Sequence, residues 1–202
     1  MKLSKTVVLF CAVLFLLPAS AMAQADFFQK GESGIGLLAG YAEGNSSNTI
    51  QGAAFVIYSG ILDFGIYNSS ISQGRNWRRT STTSYHLGIY PLRENASRSI
   101  RINLGIFAEY SNIQGINHEI VGISMFKRMG GSSSFSQPKV SVIKVWPRGF
   151  NQPGEMAYQL DFTLGWRKRN SIITATASVL KGEDATILGF TAGFAIALES
   201  DN

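Results

Sequence analysis

From Gly34 onward the hydrophobic residues recur at every second position, and almost no stretch of ten residues carries the 3.6-residue stripe of a helix. Two stretches show this most clearly. In Ser99 to Tyr110, Ile100, Ile102, Leu104, Ile106, Ala108 and Tyr110 fall on one face, and Arg101, Asn103, Gly105, Phe107 and Glu109 on the other. In Glu155 to Trp166, Tyr158, Leu160, Phe162, Leu164 and Trp166 share a face opposed by Gln159, Asp161, Thr163, Gly165 and then Arg167. Successive side chains of a strand point to opposite faces, so each stretch predicts a strand with one apolar face and one that is small, polar or charged.

Noisier alternation predicts further strands at Gly34 to Tyr41, Thr49 to Tyr58, Gly60 to Ser70, Ser81 to Tyr90, His118 to Met129, Phe135 to Trp146, Ser171 to Leu180 and Ala185 to Leu198. The total is ten, or eight if Thr49 to Tyr58 and Phe135 to Trp146, whose phase is ambiguous, drop out. Turn-like pieces separate them: GNSSN, SQGRNWRR, PLRENASR, MGGSSS, RKRN and KGED. Pro138 cannot donate a ladder hydrogen bond, so its strand is expected to start after it or to bulge there. In the last strand Leu188, Phe190, Ala192, Phe194, Ile196 and Leu198 alternate with Gly189, Thr191, Gly193, Ala195 and Ala197. Small inward residues leave space for longer side chains from opposite walls of a narrow barrel.

Alternation alone also fits a soluble exported barrel or sandwich that acts as a binding module, with its apolar face inside. Three features favour the inverse arrangement. The polar faces combine opposite charges with glycine, as an enclosed lumen requires. Tyr110, Tyr158 and Trp166, with Tyr41, Tyr58 and Trp146, lie toward strand ends on the apolar face, where amphipathic rings meet a bilayer interface. The strands are also long enough to cross the hydrocarbon layer at a tilt, and there the backbone must close on itself. The expected fold is all-β: a closed antiparallel up-and-down transmembrane β-barrel.

The first residues read as an export signal, with Lys2 and Lys5 ahead of an apolar run from Val7 to Leu17 and the small-x-small site Ala21-Met22-Ala23. Residues 1–23 are therefore expected to be a signal peptide, cleaved after Ala23 or Ala25, and residues 24–202 a single barrel domain. Cys11, the one cysteine, would leave with the signal, which removes disulfides, thiolate catalysis and cysteine-bound metals from the mature chain. Without Lys2 and Lys5 the formal charge of the whole chain, +5, falls to about +3, too mild to point to nucleic acid.

The signal, the GxGxxxGY opening at Gly34 to Tyr41 and the closing LGFTAGFAIAL at Leu188 to Leu198 together resemble the small outer membrane β-barrel proteins of Gram-negative bacteria. The resemblance spans the mature chain at the level of architecture. It implies a bacterial outer membrane location, contact with membrane lipid, a monomer in preference to an oligomer, and folding by the outer membrane assembly machinery. Such barrels usually end on a terminal aromatic; here Phe194 is followed, past the strand, by Glu199-Ser200-Asp201-Asn202. The family topology puts both chain ends and PLRENASR, MGGSSS and RKRN on the periplasmic side. Residues 72–79, 114–119 and 146–155 then face outside.

Candidate chemistry is sparse. Asp63, His86, Arg101, Glu109, Gln159, Asp161 and Arg167 are expected to point into the lumen, where opposite charges pair and either plug the barrel or mark a narrow route for small solutes. His118 and Tyr67 are further polar candidates. An outer membrane enzyme acting on lipid would pair a histidine with a serine and a carboxylate, but no spacing in the sequence places such a group. Arg75, Arg78 and Arg79 surround Trp77 in an expected outer loop, where guanidinium forks match the phosphates of outer-leaflet glycolipid. No GxxxxGK, HExxH, CxxC or EF-hand spacing occurs, so no cofactor and no metal is expected. The reading is a structural or envelope-integrity barrel with a largely plugged polar lumen; a channel or a lipid-modifying enzyme are the alternatives.

Overall fold

The computed structural model describes residues 27–44, 47–73, 78–94, 102–113, 116–147, 154–183 and 185–200. Ten long strands form the wall: β1 Glu32–Glu43, β2 Ser47–Tyr58, β3 Leu62–Gln73, β4 Arg78–Leu92, β5 Asn103–Ile113, β6 Ile116–Phe126, β8 Ser134–Pro147, β9 Glu155–Lys168, β10 Ser171–Lys181 and β11 Thr186–Ser200. A two-residue strand, β7 Met129–Gly130, folds back on β8. Each long strand pairs antiparallel with the next, β6 passes directly to β8, and β11 returns to β1. The ring closes, and every wall strand is paired on both sides.

The stagger of the ring can be followed residue by residue. From Phe135 the paired positions run through Gly165, Thr174, Gly193, Leu38, Ala53, Tyr67, Ser84, Ser111 and His118, and return to β8 at Pro147, twelve residues further along. A stagger of this size in a ten-stranded ring tilts the strands by roughly 40°. Strands of 11 to 15 residues at that tilt rise on the order of 30 Å, the thickness of a bilayer's hydrocarbon core.

The faces are inverted relative to a soluble protein. Leu37 is 61 % exposed, Leu160 57 % and Phe190 56 %, and Ile35, Val56, Phe64, Leu87, Ile106, Ile123, Phe162, Ile173 and Phe194 lie on the same outer surface. Tyr41, Tyr110 and Tyr158 stand outward near one end of the barrel, and Tyr58 and Trp166 near the other. Trp146, at the first of these ends, is half-buried beside Lys144, whose Nζ is 5.0 Å from its ring centre.

The two strands of ambiguous phase both belong to the wall. On β2 the inward residues Ala53, Phe55 and Ile57 are as apolar as the outward Ala54, Val56 and Tyr58, and on β8 the inward set includes Phe135, Ile143 and Val145. Pro138 neither starts its strand nor bulges it. Its carbonyl accepts from Lys127 N at 3.2 Å just past the last β6 pair, Phe126 with Lys139, so the missing N–H falls where the β6 ladder has ended.

Turns 59–61, 127–133 and 169–170 lie at the end where Glu32 pairs with Ser200, together with the end of β4 and the start of β5; the ends of β1, β3, β5, β8 and β10 lie at the far end. The expected Ser99 start of β5 and the expected signal peptide, residues 1–23, lie outside the described residues.

Candidate site in the barrel interior

The inward glycines are taken up by rings on neighbouring strands. Gly36 is paired with Phe55, Gly122 with Phe107 and Gly165 with Phe135, and a Cβ at each glycine would run into the ring of its partner. Gly105 stands in the same relation to Tyr90. The space expected to receive side chains from opposite walls thus receives aromatic rings from the adjacent strand, which lie flat along the wall.

Two more rings arrive from outside the strands. Phe27 and Phe28 precede β1 and are 0 % and 1 % exposed, because this short segment turns into the barrel mouth. Phe27 packs 4.9 Å from Phe55, and Cβ atoms at Gly193 and Gly34 would meet Phe27 and Phe28 respectively. The segment is fixed by its backbone. Gly31 N donates to Ser59 O at 2.9 Å, Gln29 N donates to Glu32 Oε2 at 2.8 Å, and Arg93 Nη2 donates to Phe28 O. Gly60 adopts φ +61 in the tight turn between β2 and β3, and a side chain there would strike the Gln29 backbone.

Above this layer sit the polar groups. On one wall, His86 of β4 lies 3.1 Å from Asp63 Oδ1 of β3, stacks 5.7 Å from Phe107 and meets Tyr67 edge-on at 6.2 Å. Glu109 of β5 is directly opposite His86 in the ladder and is held by the Ser84 hydroxyl. On the facing wall Gln159 Nε2 donates to Asp161 Oδ1 at 2.7 Å, and Lys139 of β8 lies 3.9 Å from Asp161 Oδ2. Thr163 and Thr176 share a hydrogen bond of 2.9 Å. Asp63, His86, Glu109, Gln159 and Asp161 are all buried.

The remaining candidates are placed differently. Arg167 lies at the mouth rather than across the lumen, its Nη1 bonded to Glu32 Oε1 at 2.6 Å with both side chains partly exposed. Arg101 lies outside the described residues, as do Arg75 and Trp77; of Arg78 and Arg79 only the backbone, paired with Gln73 and Ser72, is described. His118 is buried near the far end, against the Ser111 position of β5. Lys139 was not singled out by sequence; its signal was a lysine in phase with Gln137 and Ser141 on the face of β8 that also carries Phe135, Ile143 and Val145.

Chemically, this interior offers buried carboxylate, imidazole and ammonium groups that neutralise one another. His86 uses Nε2 on Asp63, while among the described residues its Nδ1 has no hydrogen-bond partner, and the Ser84 hydroxyl turns to Glu109, so His86 and Ser84 are not linked as base and nucleophile. Among the described residues no group of three His, Cys, Asp or Glu side chains is placed to hold a metal ion.

A closed ring with an apolar exterior and a filled interior that holds its polar groups is the construction of a transmembrane β-barrel, in which lipid faces the outer side chains and every backbone polar group is paired within the wall. No protein-family model and no curated protein matches the chain. Among solved structures it is similar to the transport unit of the autotransporter AIDA-I from Escherichia coli, at 9 % identity and a TM-score of 0.48, over 94 % of this chain and 97 % of that one. It is also similar to the β domain of the Bordetella autotransporter Brka, at 11 % identity and a TM-score of 0.44, over 84 % and 100 % of the two chains. A third is the N-terminal β-barrel domain of Pseudomonas aeruginosa OprF, at 9 % identity and a TM-score of 0.38, over 83 % and 100 %.

Proposed function

We propose that this chain is an outer membrane β-barrel of the bacterial cell envelope, with a closed lumen and a structural role. The observation that carries the reading is the filling of the interior. Rings from Phe27, Phe28, Phe55, Tyr67, Tyr90, Phe107, Phe126 and Phe135, together with the paired polar groups above them, are almost wholly shielded from solvent, although they line what would be the pore. The outer surface supports the membrane assignment, because leaving that much Leu, Ile, Val and Phe in water would cost about 25 cal/mol per Å2 of apolar area. The export-signal pattern at Met1 to Ala23 supports passage across the inner membrane. On this reading residues 75–79 face outside, where Arg75, Trp77, Arg78 and Arg79 meet glycolipid phosphates, and the end holding Glu32 and Ser200 faces the periplasm.

The test is fractionation followed by solute entry. The expressed protein is expected in the outer membrane pellet after a urea wash, migrating faster on gels unheated than boiled. Liposomes containing it are expected not to swell in small sugars. Recovery in the soluble periplasm without detergent would overturn the membrane assignment, and rapid swelling would replace the closed barrel with a solute channel.

A further inference from the structure

On the outer face, toward the far end, a groove of about 330 Å3 crosses β4, β5 and β6 and reaches β8. The smallest side chain lining it is Ala108, which pairs with Leu87 on one side and Val121 on the other. The next row toward the far end is Tyr85, Tyr110, Glu119 and Trp146, paired in that order across the four strands, so three amphipathic rings bound the groove on that side. Such rings mark the edge of a hydrocarbon layer. Glu119 is already engaged by a neighbour.

The independent observation is Lys144. It stands in the same row as Ala108, paired with Val121 of β6 and Met156 of β9, and so faces outward two strands from Ala108, about 10 Å along the ladder. Among the described residues no carboxylate lies within ion-pair distance of it. Its Nζ turns instead to Trp146, 5.0 Å from the ring centre, at the aromatic edge of the groove. An alkyl stem laid along apolar surface with the ammonium carried to the interface is how lysine keeps its charge in a membrane wall. The ring face holds the cation in place without neutralising it, so the counter-charge comes from the lipid. Phosphate is the lipid anion that an ammonium binds as a point charge.

We propose that this groove holds one phosphorylated glycolipid of the outer leaflet, with an acyl chain over Ala108 between Leu87 and Val121 and a phosphate on Lys144 beside Trp146. The inference rests on the reading that the far end faces outside, where the lipid against the wall is the outer-leaflet glycolipid. The site lies on the wall itself and is separate from the loop of residues 75–79.

The test is native mass spectrometry of the full barrel in non-ionic detergent, titrated with bisphosphorylated lipid A, with the same lipid A after removal of its phosphates, and with phosphatidylglycerol. Bisphosphorylated lipid A is expected to be retained about tenfold more tightly than the dephosphorylated form, the margin of one charge-assisted hydrogen bond. Lys144→Gln should remove most of that preference, and Lys144→Arg should keep it. Ala108→Phe, which fills the groove from an exposed position, should lower retention of both forms alike. Gel mobility before and after boiling verifies that each variant is folded. Equal retention of the two forms by the unmodified protein, an unchanged preference in folded Lys144→Gln, unchanged retention in folded Ala108→Phe, or phosphatidylglycerol held as tightly as lipid A would each overturn the site. Fractionation needs no lipid titration, so a barrel that reaches the outer membrane pellet and fails these tests loses the site alone, whereas a soluble periplasmic product loses the membrane reading and the site with it.

Discussion

His86 Nε2 lies 3.1 Å from Asp63 Oδ1, and both side chains are fully enclosed between β3 and β4. The geometry depends on Gly88, which pairs with Asp63 across the strands and whose absent Cβ leaves the carboxylate its place. Phe107 covers the imidazole from the other side. Removing one member leaves the other buried without its partner, so Asp63→Ala is expected to destabilise the barrel by about 3 kcal/mol or more. Asp63→Asn, which keeps an acceptor, should cost about half of that. Urea unfolding in lipid vesicles followed by tryptophan fluorescence measures both; equal midpoints for the two variants would mean that the contact contributes nothing specific.

The glycine and aromatic pairs give a sharper comparison. Gly122→Ala and Gly165→Ala would drive a methyl into the Phe107 and Phe135 rings, while the outward Gly52 has no atom nearer than Leu38 O at 3.8 Å to meet a Cβ. The inward substitutions are expected to cost about 1–3 kcal/mol by overpacking, and Gly52→Ala to be neutral or slightly stabilising. The same unfolding assay decides; a loss at Gly52 as large as at Gly122 would contradict the packing described.

These pairs also show where sequence stops being informative. Period two gives a direction to Asp63, His86 and Glu109 within their own strands, and it favoured ten strands while leaving eight open, because lipid outside and polar groups inside keep the two faces unlike on most strands. It left the phase open on β2 and β8, where Phe55, Ile57, Phe135, Ile143 and Val145 make the inward face as apolar as the outward one. The reason is tertiary: an inward ring is tolerated where the adjacent strand offers a glycine, and which residue stands opposite depends on register. Phe27 and Phe28 were unreadable for a related reason, since they precede the first strand and carry no period. Arg167 has the right phase for the lumen but stands at its rim, where Glu32 captures it.

A change of packing partner alters how the faces should respond to charge. Face alternation alone suggests that a charge at Leu104 or Phe162 damages assembly much more than the same charge at Asn103 or Thr163. Asn103 and Thr163 are themselves buried and hydrogen-bonded, so both faces of these strands should resist charge. The tolerant positions lie elsewhere: on the outer face of β3 to β5 toward the far end, Asn68, Ser81, Thr83 and Asn112 are exposed, and Ser81 Oγ donates to Asn68 at 3.3 Å. These strands continue past the apolar belt into water. Phe162→Lys is expected to cost about 2–4 kcal/mol and Thr83→Lys less than about 1 kcal/mol. Equal assembly yields for the two in vesicles would remove the edge assigned to the belt.

The closed lumen proposed for this barrel predicts how conductance should respond to truncation. Two barriers lie in series. Phe27 and Phe28 fill the mouth beside Phe55, and beyond them Tyr67, His86 and Phe107 project from β3 to β5 while Lys139, Gln159 and Asp161 project from β8 and β9. Strands β3 and β9 stand five places apart in a ring of ten, so the two polar sets face each other across the lumen. Phe27→Ala with Phe28→Ala should widen only the mouth and leave the protein silent in a planar bilayer. Tyr67→Ala with Phe107→Ala should open only the middle, and it too should be silent. All four together are expected to give discrete openings, at a cost in stability of several kcal/mol from the lost ring burial. Openings from the mouth variant alone would show that the N-terminal segment is the whole barrier, and steady current from the unmodified protein would show that the lumen is not closed at all.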